Sequence, residues 1–226
     1  MKKYVFQFSL ALLMCVGSIS SAHAAMISFW SGDGGDILVS SVNPGAVTVI
    51  TPHPLWGDVS VPAGLAPGTA KWISYANTGI GGFIPPNVTG LGMGDQTMHF
   101  RRKLNIASGG SLDLDVLADD TVGVTLTGPG GVMNLFLPYP DQVNPCSPGG
   151  TGNPVGCVQV DMGSSPLTNL PGGVHFLDLY VYQRGGDVSG VNFAGTYEVP
   201  EPNMIALMGA GLIGIGYRLR RKSQKS

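Results

Sequence analysis

No long window of this chain repeats its apolar residues at helical spacing. Short runs rich in β-branched and aromatic residues alternate instead with clusters of Gly, Pro and Asn, the pattern of strands divided by turns. The runs predict strands over 26–30, 37–41, 47–51, 71–75, 97–106, 111–117, 122–127, 132–136, 158–162, 174–183 and 191–198. Two of them alternate cleanly. Leu112, Leu114 and Val116 share one face with Asp113 and Asp115 on the other, and Val122, Val124 and Leu126 point one way while Thr125 and Thr127 point the other. The segment Thr127-Gly128-Pro129-Gly130-Gly131 then turns the chain. So many short strands predict an all-β domain, a sandwich or jelly roll. At this size it buries roughly 70% of its unfolded surface, enough for an independent core.

The chain has 226 residues, of which 12% are charged, 35 are Gly and 17 are Pro, while 43% are hydrophobic. A collagen, a coiled coil and a polytopic membrane protein are excluded by this composition. The net charge of −2 hides a segregation. Residues 1–25 carry only Lys2 and Lys3, and 203–226 carry only Arg218, Arg220, Arg221, Lys222 and Lys225. The middle holds five cations (Lys71, Arg101, Arg102, Lys103, Arg184) against all 14 acids, a net charge of −9. An acidic body between two basic ends argues against a nucleic-acid partner. Each basic end flanks an apolar run, which is a topology signal.

Residues 1–24 read as a signal peptide: Lys2 and Lys3, an apolar stretch over 4–17, and Ala22-His23-Ala24 as an A-x-A cleavage site after Ala24. The far end reads Val199-Pro200-Glu201-Pro202, an apolar run over 204–217, then Arg218-Leu219-Arg220-Arg221-Lys222. As a helix this run spans about 21 Å, short of a hydrocarbon core of about 30 Å. Gly209, Gly211, Gly214 and Gly216 make it small on one side, as packing against another membrane protein favours. A short anchor with a positive stop suits a transient membrane intermediate that is later removed, the logic of a GPI signal. The predicted organisation is therefore signal peptide 1–24, β-sandwich ectodomain 25–198 and sorting signal 199–226.

That tail resembles the PEP-CTERM sorting domain of Gram-negative bacteria. Pro200-Glu201-Pro202 matches its signature, Gly209-Ala210-Gly211-Leu212-Ile213-Gly214 its glycine-rich span, and Arg218 to Lys222 its basic end. The resemblance implies recognition by an exosortase, a membrane-embedded cysteine transpeptidase. It further implies delivery of the ectodomain to the cell surface or extracellular matrix, often in bacteria that make extracellular polysaccharide. The same glycines spell G-x-G-x-x-G, but no strand precedes them and no acidic residue follows at the required distance, so a dinucleotide site is excluded. Within the ectodomain, Lys71-Trp72-Ile73, His99-Phe100-Arg101-Arg102-Lys103-Leu104, Leu117-Ala118-Asp119-Asp120, Val124 to Gly128 and Leu177 to Tyr182 follow in order. This order resembles the galactose-binding-like jelly roll, with Thr127 where that pattern carries Asn. That fold hosts sugar binding, protein contacts and architectural roles, so fold alone does not decide between them.

Few residues suggest chemistry. Cys146 and Cys157 bracket a ten-residue loop of small and turn-forming residues. In an exported chain such a pair reads as a disulfide, worth roughly 3 kcal/mol in the chain-entropy account. Asp113, Asp115, Asp119 and Asp120 cluster within eight residues, and Asp33 and Asp36 within four. Carboxylates grouped at a turn are what Ca²⁺ requires, with Asp119 and Asp120 the candidate ligands. The competing reading has those two capping a turn through backbone N–H groups while Asp113 and Asp115 form a solvated face. His53, His99 and His175 lack a second ligand at metal-binding spacing, and no H-E-x-x-H, G-x-S-x-G or P-loop occurs. The expectation is a non-enzymatic module, with a secreted hydrolase as an alternative. Among the aromatics, Trp72 and Tyr180 are expected in the core. Trp56, in the Pro-rich run Thr51 to Gly57, either packs under its loop or contacts a sugar. Arg101-Arg102-Lys103 is the one basic patch on the acidic body. Its Arg101 and Lys103 share a strand face and either pair with Asp residues or meet an anionic glycan.

Overall fold

The computed structural model describes residues 25–59, 66–88, 93–138, 163–164, 166–184 and 188–199. The signal peptide, Cys146 and Cys157, the strand expected over 158–162, and the sorting tail from Pro200 onward lie outside the described residues. No helix occurs among those described. Twelve strands build two sheets: β1 (Ala25–Trp30), β2 (Asp36–Ser41), β3 (Thr48–Val49), β4 (Ile73–Ser74), β5 (Met98–Ile106), β6 (Gly110–Asp119), β7 (Thr121–Gly128), β8 (Gly131–Phe136), β9 (Gly163–Ser164), β10 (Leu167–Leu170), β11 (Gly173–Tyr182) and β12 (Gly190–Val199).

The first sheet runs β10-β6-β12-β4-β3, with β1 also on β12 and β9 on β6; the second runs β2-β5-β11-β7-β8. Its long ladders are antiparallel. Thus β12 pairs with β6 from Gly190↔Asp119 to Tyr197↔Leu112, and β11 lies between β5 and β7, with Asp178 opposite both Arg101 and Thr125. The whole is a β-sandwich. The alternation along each strand explains why the sheets close on one another. Leu112, Leu114, Val116 and Ala118 from β6, and Val191 and Phe193 from β12, meet Phe100, Leu104 and Ile106 of β5, Val122, Val124 and Leu126 of β7, and Leu177, Leu179 and Val181 of β11 in one core. Each such side chain contributes about 1.5–3 kcal/mol by leaving water.

Strand β6 also sends Leu117 to the opposite, outer face. There it joins Ala194 and Val188 beneath Ile50, Trp56, Val59, Ala70 and Trp72, a second cluster roofed by the connection from β3 to β4. Trp72 anchors this roof by donating its indole N–H to the Gly57 carbonyl at 3.1 Å.

At the opposite edge, Arg102 ties the sheets together. By alternation it belongs to the core side of β5, between Phe100 and Leu104. Its guanidinium reaches across the Phe29 ring, 5.2 Å from the centroid, and donates to Asp33, to Asp36 and to the Trp30 carbonyl. The turn that supplies those acceptors needs Gly35: a Cβ there would lie 2.7 Å from the guanidinium carbon.

A candidate ligand face on the second sheet

The outward face of the second sheet is built from the odd positions of β5 and the even positions of β11. Cross-strand register sets His99 opposite Tyr180, Arg101 opposite Asp178 and Lys103 opposite Phe176. On the other side of β11, Thr125 lies beside Asp178 and Thr127 beside Phe176. The face is a ladder of aromatic, basic and hydroxyl side chains.

Asp178 is its hinge. One carboxylate oxygen, Oδ1, meets both His99 Nε2 and Arg101 Nε at 2.7 Å, and Oδ2 accepts from Arg101 Nη2 at 3.2 Å. Burial would raise the Asp178 carboxyl, but the hydrogen bonds from His99 and Arg101, with the Arg101 charge, outweigh it and hold the group below the usual carboxylate range. The Arg101 side chain is 39% exposed, against 2% for Asp178. Its guanidinium stands 5.1 Å from the centre of the Phe176 ring, within cation–π reach. Tyr180 stacks on His99, with centroids 4.3 Å apart and planes at 24°. Phe176 is 36% exposed and Lys103 is exposed.

Arg101 and Lys103 do share one face, as alternation requires. Arg101 carries an Asp partner as well as an open side; Lys103 makes no ion pair among the described residues. Arg102 faces the other way, onto Asp33 and Asp36. Burial pushes the Asp36 carboxyl up, more than the Gly32 N–H and Arg102 pull it down, whereas at Asp33 the Arg102 contacts prevail over burial and lower it.

For the aromatics, one open choice is decided and one expectation is corrected. Trp56 does not stand on an exposed loop: it is 9% exposed and packs on Trp72, ring centroids 4.2 Å apart. Its apolar neighbours Ile50 and Val59 close over the same spot, so of the two readings the structure shows packing under the loop. Tyr180 is not core. It is an even position on β11, and the inward side of that strand belongs to Leu177, Leu179 and Val181.

Asp119 and Asp120 close the β6–β7 turn and are buried. Their peptide bond is cis. Asp120 Oδ2 accepts from the Arg184 backbone N–H, the Asp120 N–H donates to the Tyr182 carbonyl, and the Ser189 hydroxyl donates to the Asp119 carbonyl. Asp113 and Asp115 sit on the outer face of β6, and Asp33 and Asp36 lie with Arg102. The acids grouped in sequence thus fall at separate places, and among the described residues no three His, Cys, Asp or Glu side chains converge in a metal-binding group.

The fold and its face define a β-sandwich module whose second sheet exposes Phe176 and Lys103 at one end of its outer face. Its delivery is defined at the C-terminus: residues 198–222 match the PEP-CTERM protein-sorting motif, so the chain is an exported protein with a C-terminal sorting signal. No curated protein matches the chain. Among solved structures, it is similar to an exo-beta-1,3-galactanase from Phanerochaete chrysosporium solved with galactose, at 15% identity and a TM-score of 0.31, over 76% of this chain and 29% of that one. A family 35 carbohydrate binding module from Clostridium thermocellum matches at 12% identity and a TM-score of 0.29, over 78% of this chain and 100% of the module. A cycloisomaltooligosaccharide glucanotransferase from Paenibacillus sp. matches at 12% identity and a TM-score of 0.27. That match covers 71% of this chain but only 19% of that enzyme.

Proposed function

We propose that this protein is released by an exosortase from an inner-membrane intermediate to the cell surface or extracellular matrix. There its sandwich serves as a non-enzymatic carbohydrate-binding or adhesive module of an exopolysaccharide or biofilm layer. The observation that carries this reading is the pair of aromatic rings, Phe176 and Tyr180, on the outward face of β11, with Asp178 between them and Arg101 beside it. Apolar ring faces beside rigid hydrogen-bonding groups suit a sugar, which is itself apolar on its faces and polar at its edges.

The non-enzymatic reading draws on the state of the imidazole–carboxylate pair. Asp178 is shared between His99 and Arg101, and His99 lies flat against Tyr180, an arrangement that locks the face rather than exposing a base. An architectural matrix role is the second reading. It draws on Ile80, Phe83 and Ile84, exposed by 44%, 50% and 63% within one loop, an apolar surface suited to protein contacts.

The deciding experiment screens the purified exported protein against host exopolysaccharide and a glycan panel, with Ca²⁺ and with EDTA. Saturable binding lost in Phe176→Ala establishes the module, and its response to EDTA decides whether calcium at Asp119 and Asp120 takes part. A folded protein that binds no glycan in either buffer has the architectural role.

A further inference from the structure

Among the strand residues of the second sheet's outward face, the exposed charges are Arg101 and Lys103, both positive. The face's one carboxylate, Asp178, is buried and consumed by His99 and Arg101. Across the sandwich the outward charges of β6 are the acids Asp113 and Asp115. A body of net charge −9 therefore shows a basic face on one sheet and an acidic face on the other. Asp95, in the segment before β5, lies at the far end of the basic face beside Tyr182 and away from Phe176.

Resting on the carbohydrate reading above, we propose that the ligand is an acidic polysaccharide, a uronic-acid polymer lying along β11 with its carboxylates met by Arg101 and Lys103. Two charged side chains support this class over a neutral glycan. Arg101 is set in place before any ligand arrives: Asp178 holds its Nε and Nη2, and Phe176 holds its plane. Its Nη1 is left without a hydrogen-bond partner among the described residues and can donate outward. Lys103 stands directly opposite Phe176 and the Arg101 guanidinium lies over one side of that ring, so a sugar packing on the ring's remaining exposed surface has a mobile ammonium and a fixed guanidinium beside it. Phe176 and Tyr180 are four residues apart on one strand face, about 13 Å, a span that an oligosaccharide segment covers and a single sugar does not. Among the described residues, Asp113 and Asp115 on the outer face of β6 repel a polyanion from the opposite sheet, which favours this one.

Calorimetric titration of the exported protein with polygalacturonate and with dextran of similar length tests this. Polygalacturonate is expected to bind at least about tenfold more tightly, and its affinity to fall roughly fivefold or more between low and high salt, as screening of an exposed charge contact requires. Lys103→Ala is expected to weaken polygalacturonate alone by about threefold, and Phe176→Ala to weaken whichever polymer binds by about tenfold. Both side chains are exposed, and melting curves confirm that the variants fold. Equal affinity for dextran, or polygalacturonate binding indifferent to Lys103→Ala, overturns the acidic class while leaving the carbohydrate reading standing. A folded protein that binds neither polymer, nor any glycan of the panel, overturns both.

Discussion

Arg102 and Asp33 meet fork to fork, Nη1 to Oδ1 and Nη2 to Oδ2, both at 2.6 Å, although 69 residues separate them. Asp36 accepts from the same Nη1 at 3.1 Å, and little of the three side chains reaches solvent. One cation thus balances two carboxylates at the sandwich edge. Replacing it strands both acids in a half-dry site. Arg102→Met is expected to cost about 3 kcal/mol in urea unfolding, because uncompensated buried charge is more costly than the pair is worth. Adding Asp33→Asn and Asp36→Asn should recover part of that loss, and no recovery would show that guanidinium packing on Phe29 dominates.

Acid should act through Asp178. Its folded carboxyl titrates below the unfolded value of about 3.9, so its stabilising contribution is complete above that value and is lost as pH falls through the folded one. Asp36 has the opposite sign: its carboxyl is raised in the fold, so its ionisation costs stability near neutrality and acid relieves that cost. Asp178→Asn should melt below the parent at pH 7, by about 1–2 kcal/mol given the solvent exposure of Arg101. The difference should shrink as pH falls below the unfolded carboxyl value of about 3.9 toward the lower folded one. A difference that stays constant through that fall would place the Asp178 contribution elsewhere.

Gly128 lies where the His175 ring needs bare backbone. A Cβ on it would stand 2.1 Å from His175 Cδ2, and the ring is held by its Nδ1 contact with the Gly173 carbonyl at 3.1 Å. Gly128→Ala is expected to destabilise by about 2 kcal/mol through overpacking. His175→Ala in the same chain should return much of it, a coupling that a double-mutant cycle reads directly.

Trp56→Ala should cost about 3 kcal/mol by emptying the cluster over the first sheet, while glycan affinity stays with the second sheet. Loss of binding at unchanged stability would move the ligand site to Trp56.

Removing Pro200, Glu201 and Pro202 should leave the full-length protein in the inner-membrane fraction on immunoblots, as would deletion of the host exosortase. Normal release of either would refute exosortase processing.

Much of the fold is legible in the sequence where burial is one-sided. Over 111–116 of β6 and 124–127 of β7 each inward Leu or Val alternates with Asp, Ser or Thr, and the Pro129–Gly130 turn punctuates them. Strands β9 and β10 were not legible: they are two and four residues long, and Asn169 within β10 takes a positive φ of 58°. The segments over 47–51 and 71–75 shrink to Thr48–Val49 and Ile73–Ser74, although the Ile50 N–H still donates to the Trp72 carbonyl at 2.9 Å and both side chains join the outer cluster. The candidate face was half legible. Alternation alone sets Arg101 with Lys103, and also Phe176 with Asp178 and Tyr180. Nothing local reveals that these two sets face each other, since Asp178 lies 77 residues from Arg101 and 79 from His99. Register joined them.

Strand β12 runs between β6 and the β1 and β4 strands, and it ends at Val199, inside the matched sorting segment that begins at residue 198. The domain's last ladder therefore closes inside the matched segment. A truncation that removed all of 198–222 would also take Glu198, whose carboxylate accepts the Ser111 N–H and whose carbonyl accepts the Ala107 N–H, and so would damage the sandwich as well as the sorting signal.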